Sequence, residues 1–144
     1  MFDEVTTELA PEECWRLLAE NSLGRLAFDL VGELHITPIN YVVDGQSLLF
    51  RSAEGSKLLS VVMDGAVAFE IDGQDGETAW SVLVRGRASL LDEADEHRAD
   101  ALPLHPWVDA EHKYTVVEVT PTAVTGRFFR LDPDARPAKA GTDA

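Results

Sequence analysis

Cysteine is almost absent from this chain of 144 residues: Cys14 stands alone. No disulfide can form within the chain, and a cysteine metal cluster is excluded. Histidine is also sparse. His35, His97, His105 and His112 have no partner at metal-ligand spacing, so zinc and haem sites have no motif behind them. No serine stands in a nucleophile-elbow pattern, and no Ser/His/Asp set can be picked out. No apolar run is long enough to cross a bilayer. The start, MFDEVTTELA, lacks a basic region followed by an apolar stretch, so a cytoplasmic protein with no membrane partner is the expectation. Basic residues are scarce as well: 12 Lys and Arg face 26 Asp and Glu, a net charge of −14. Such a surface repels nucleic acid.

What remains is a chain of ordinary domain size with 45% apolar residues, enough for one core. Residues 1–10 read as a flexible N-terminus, 11–131 as one domain, and 132–144, rich in Pro, Ala and Asp, as a disordered tail. Pro11 suits a first helical position, and Glu12 and Glu13 put negative charge in the first turn. Cys14, Trp15, Leu17 and Leu18 then give an apolar face at helical spacing, with Cys14 a buried, inert thiol. The helix ends near Asn21.

Strands are expected at 23–30, 34–43, 47–52, 66–71, 78–91, 114–119 and 122–131. Val31-Gly32-Glu33 and Asp44-Gly45 are their turn signals. Ser56 can cap a helix that ends at Asp64-Gly65, and 92–101 reads as a short charged helix. Trp80, Val82, Val84, Gly86 and Ala88 share a strand face, and Gly86 marks a bulge or bend. Six or seven strands on short antiparallel links favour a closed or nearly closed β-barrel, not a parallel α/β fold.

Because the chain is acidic, its basic clusters carry information. Arg51, Ser52, Ser56 and Lys57 bracket a short loop at a helix start, a composition suited to a phosphate-like anion. Pro38 interrupts a strand and points to an edge, leaving main-chain groups for a ligand. A flat heteroaromatic ring with an imide edge could use Pro38, Ile39, Asn40 and Tyr41. The same residues also suit a plain edge strand. Trp80 and Ser81 open the longest strand and could wall that pocket, or Trp80 could be core. Arg85 and Arg87 share the face of Ser81, where they are barrel-exterior charges or meet an acidic partner. Glu70 and Asp72 share a strand face and could act as an acid pair.

In order and spacing, EECWRLL (12–18), SLGRLAF (22–28), PINYVVDG (38–45), LLFRSAEGSK (48–57), AVAFEID (66–72), WSVLVRGRA (80–88) and TGRFFRL (125–131) resemble the pyridoxamine 5′-phosphate oxidase-like, FMN-binding split-barrel proteins of the short actinobacterial type. The resemblance implies a mainly β, six-stranded antiparallel split barrel with a few short helices. It implies a homodimer with the flavin in a groove between subunits. The phosphate then falls to Arg51, Ser52 and Lys57 and the ring to Pro38–Tyr41, with Trp80 and Ser81 contributing, from the partner chain if need be. Arg127 is a weaker carry-over. True pyridoxamine phosphate oxidases are longer and end in a basic, histidine-containing segment. This chain ends in RFFRLDPD and a polar tail, so the implied activity is a flavin-dependent oxidoreductase with another small-molecule substrate. Trp80, Trp107 and Phe129 are candidate groove walls. The alternatives are an F420-dependent reductase on the same fold, to which the unplaced Arg25, Arg87 and Lys113 are relevant, a flavin-binding protein without turnover, and a haem-binding split barrel.

Overall fold

The alternation seen in the sequence becomes one antiparallel sheet in the computed structural model, which describes residues 6–53, 65–100 and 114–131. The expected helix at Ser56, Lys57, Trp107, Lys113 and the tail from 132 lie outside the described residues. The elements run β1 (Thr6–Glu8), α1 (Pro11–Glu20), β2 (Leu23–Leu30), β3 (Glu33–Asn40), β4 (Val42–Asp44) and β5 (Ser47–Ala53). Then come β6 (Ala66–Asp75), β7 (Thr78–Leu90), a 3-10 helix (Glu93–Ala99) and β8 (Tyr114–Arg130). Strand order is β3-β2-β6-β7-β8-β5-β4, with β1 also on β8. The two edges, β3 and β4, are separated in the chain by Tyr41 alone. The sheet must therefore curl until its edges meet. Among the described residues no ladder joins them, which leaves a split in the wall.

Period-two alternation decides what lies inside. Leu26, Phe28, Phe50, Phe69, Ile71, Val82 and Val84 point inward and are buried. Helix α1 closes one end with Cys14, Leu17 and Leu18, all buried. Burial pushes the Cys14 thiol up, and the Glu13 charge adds to this, so it is a packing residue. A second, small cluster lies on the outer side of β5: Leu49, Val116, Leu91 and Ala99, under the 3-10 helix.

Two glycines have a packing reason. A Cβ on Gly24 would sit 2.2 Å from Phe69 Cζ. At Gly86 the register slips, because Arg85 faces Ala123 while Gly86 faces Pro121. Thr122 is the extra residue of this bulge, and its hydroxyl donates to the Arg85 carbonyl at 3.2 Å. The bulge lets β8 run through Pro121 as one strand, where the sequence suggested two. Its bend at a strand-interior glycine was readable beforehand. Within the 1–10 segment, Thr6–Glu8 pair with Phe129, Phe128 and Arg127.

Candidate functional site

The split between β3 and β5 brings together the best-placed candidates. On β5, Leu48, Phe50 and Ser52 share the inner face, and Leu49 and Arg51 the outer one. Arg51 donates from Nη2 to the Ala99 carbonyl at 3.2 Å, so the 3-10 helix lies over it. Past Asn40 and Tyr41 the chain enters β4, where Val42 faces Leu49, two residues from Arg51. The side chains of Asn40 and Arg51 point outward.

Asn40 itself is half-buried. Its Nδ2 donates to the Ser22 carbonyl at 2.9 Å, which leaves Oδ1 buried with no donor. A buried acceptor without a partner costs free energy, on the order of 1–3 kcal/mol, unless a donor is supplied. Beside it opens a cleft of about 420 Å³ whose lining includes Ser22, Leu23, Arg25, Pro38 and Asp72. Arg25 bridges Glu70 and Asp72 at 2.8 and 3.0 Å. Burial and then the neighbouring Asp72 push the Glu70 carboxyl above its usual range, and Arg25 offsets only part of this. The two carboxylates do share a face, as their spacing predicted.

Alternation also separates residues that the sequence had grouped. Tyr41 is a core residue: it is 1% exposed, its hydroxyl donates to the Leu18 carbonyl at 2.6 Å, and its ring meets Phe69 edge-on at 4.8 Å. Burial pushes its phenol pKa well up. Ile39 also packs against the core. Ser52 shares its face with Phe50 and is buried. Trp80 packs inward over Gly73, where a Cβ would lie 2.7 Å from its ring. The side chains of Ile39, Tyr41, Ser52 and Trp80 thus face the interior. Those of Pro38, Asn40, Arg51 and Ser81 face out. Ser56 and Lys57 lie outside the described residues.

Ser81 shares the outer sheet face with Asn40, across β2 and β6. The strand pairs run Asn40–Leu23, then Asp72–Ser81 and Ser81–Arg127. It lines a second cleft of about 320 Å³ with Arg85, Thr125 and Arg127. Arg51 pairs at the opposite end of β8, at Val116. Within one chain the structure therefore does not bring Ser81 to Arg51. His35 stacks on Phe28 at 5.4 Å, with Nε2 2.8 Å from Glu33 Oε1 but not aligned for a hydrogen bond. Among the described residues no group of His, Cys, Asp and Glu could hold a metal.

One ion-pair network joins residues far apart in the chain. Arg98 donates from Nε to Asp44 Oδ2 at 2.5 Å and from Nη2 to Glu118 Oε2 at 2.8 Å. Burial pushes the Glu118 carboxyl up, but hydrogen bonds from Arg98 and Ser47, with the Arg98 charge, hold it below its ordinary value. The partners are 54 and 20 residues from Arg98 in the chain. The only local signal was a cation in a run of acids.

Chemically, the residues beside the split include an outward guanidinium and a buried amide oxygen lacking a donor. This set suits a molecule with an anionic group at one end and an N–H-bearing polar ring at the other. It contains no nucleophile–base pair. Comparison with known proteins agrees with the fold. An FAD binding protein from Mycobacterium smegmatis is 46% identical, covers 86% of this chain and 100% of its own, and superposes with a TM-score of 0.74. An FAD-binding protein from Mesorhizobium loti is 25% identical, with 86% and 96% covered and a TM-score of 0.75. An uncharacterized protein of Mycobacterium tuberculosis is 33% identical over 136 residues, 90% of this chain and 88% of that one. The family described as Pyridoxamine 5′-phosphate oxidase matches residues 10–128, and the chain belongs to that family.

Proposed function

We propose that this protein is a homodimeric flavoprotein that binds FMN at the split between β3 and β5 and acts as a small oxidoreductase. The observation that carries this is the orphaned Asn40 Oδ1 at the end of β3, with Arg51 on the outer face of β5. Arg51 would hold the phosphate by charge-assisted bonds. Asn40 Oδ1 would accept from the imide N–H of the ring. Pro38 has no backbone N–H, so the ladder is already incomplete where the ring would lie. Ser56 and Lys57 belong to the phosphate proposal on sequence grounds alone. Ser81 joins the site only from the partner subunit. When bound, the flavin supplies hydride or electron transfer, and the protein positions it and tunes it by hydrogen bonds.

The dimer is supported by the outer face of β2, β3 and β6. Leu34 is 81% exposed and Ile36 68%. A shallow apolar depression of about 460 Å³ lies beside them, with Ala27, Ala66 and Ala68 in its lining. Exposed apolar area of this kind favours a partner surface.

FAD is a second reading, favoured by the M. smegmatis relative, described as an FAD binding protein at 46% identity. Both cofactors place a riboflavin phosphate group at Arg51. The test is Arg51→Ala with FMN titrated into flavin-free protein. One lost charged bond, about 1.5–3 kcal/mol, predicts affinity weaker by roughly 10- to 100-fold with the fold intact. Unchanged affinity would refute the phosphate assignment. Reduction of the bound flavin by NAD(P)H supports the oxidoreductase role, and a flavin that no donor or substrate reduces points to a binder without turnover.

A further inference from the structure

The 3-10 helix carries two adjacent residues with separate duties. Ala99 is fully buried against Leu49, Leu91 and Val116, and its carbonyl takes the Arg51 Nη2–H at 3.2 Å. Arg98, one residue earlier, spans Asp44 at the β4–β5 turn and Glu118 on β8, at 2.5 and 2.8 Å. These two carboxylates lie on either side of β5, because Asp44 pairs with Ser47 and Glu118 with Leu49. The bidentate grip therefore ties the helix across the strand that carries Arg51, two residues from Leu49. A guanidinium is a rigid planar fork. Holding one N–H on a carbonyl narrows the directions open to the others.

We infer that Arg98 is a positioning residue: clamped by Asp44 and Glu118, it holds the Ala99 carbonyl where it aims the Arg51 fork at the anionic end of the ligand. The inference rests on the proposed phosphate role of Arg51. Arg98 itself does not touch the ligand. A flexible Arg51 would still attract a phosphate, but it would have to be ordered at each binding event. A clamped one is ordered beforehand.

A phosphate-specific readout separates positioning from general support of the fold. FMN and riboflavin share the ring and differ in the phosphate. The dissociation constants of both are measured by flavin fluorescence quenching on flavin-stripped, full-length protein. The variants are Arg51→Ala, Arg98→Met and the double variant. Asp44→Asn serves as a second, milder break of the clamp in case Arg98→Met does not fold, and Arg98→Lys tests rescue. The expected result is that Arg98→Met weakens FMN binding by roughly 3- to 10-fold and leaves riboflavin binding within about 2-fold, as coupling of this size predicts. Asp44→Asn should act in the same direction, and Arg98→Lys should recover part of the loss. In the Arg51→Ala background, Arg98→Met should have no further effect on FMN.

If Arg51→Ala changes the FMN-to-riboflavin ratio and neither Arg98→Met nor Asp44→Asn does, the positioning role is wrong while the phosphate site stands. If both flavins weaken equally in the clamp variants, the network only supports the fold, and the inference is overturned. If Arg51→Ala leaves the ratio unchanged, the phosphate site itself is wrong and the inference falls with it.

Discussion

Tyr41→Phe separates a core role from a ligand role at one atom. The substitution removes only the hydroxyl, which donates to the Leu18 carbonyl at 2.6 Å from a residue 1% exposed. The Leu18 carbonyl retains one weak donor, the Asn21 N–H at 3.4 Å. Water cannot easily replace the lost bond, because the ring is enclosed against Phe69. A buried hydrogen bond whose acceptor is left poorly satisfied costs about 1–2 kcal/mol. For a chain of this size that lowers the melting temperature by roughly 3–8 °C. Urea denaturation of flavin-stripped protein at one fixed concentration removes linkage to ligand and holds any dimer linkage the same for both proteins. FMN affinity, measured separately, should stay unchanged. A variant of full stability with weakened FMN binding would refute this, since it would put the hydroxyl at the ligand.

Gly24→Ala should destabilise by about 1–3 kcal/mol through overpacking, because the new methyl meets both Phe69 Cζ at 2.2 Å and the Glu70 carbonyl at 2.9 Å; a neutral result in urea would show that the ring moves freely. Glu118 has a lowered carboxyl pKa in the fold, so it binds its proton more readily when unfolded. Its stabilisation is complete above its ordinary value of about 4.5 and is lost as pH falls through the lowered one. Stability measured across acid pH should show this loss, and Arg98→Met should flatten it. Replacing Leu34 and Ile36 together by Asp should convert the proposed dimer to a monomer in light scattering; a mass unchanged from wild type would remove that face from the interface.

Residues whose neighbours in sequence also decide their environment were readable from sequence. Pro11 with Glu12 and Glu13 announced α1, which spans Pro11–Glu20. Alternation from Trp80 to Ala88 announced the inner face of β7, and Gly86 announced the bulge. Side-chain direction around the split was harder. A run such as Pro38–Tyr41 can offer every residue to a ligand in sequence, yet a strand offers only alternate ones. Pro38 and Asn40 went outward, and Ile39 and Tyr41 went to the core. The same rule parted Arg51 from Ser52 and Trp80 from Ser81. β1 was hidden because three polar residues carry no pattern of their own, and only the β8 edge makes them a strand. Arg98 was hidden because Asp44 and Glu118 meet it only after the sheet has curled. The strand pattern already favoured a barrel, and family resemblance made it a split barrel with a flavin. The orphaned Asn40 oxygen and the Ala99–Arg51 contact came from the fold.

Mass spectrometry of the small molecule released when the purified protein is denatured tests the central claim most directly. The account predicts a yellow preparation that releases FMN, or FAD on the second reading, in about one equivalent per chain, as a single-site cofactor should. A colourless protein that takes up F420 or haem but no flavin would contradict it.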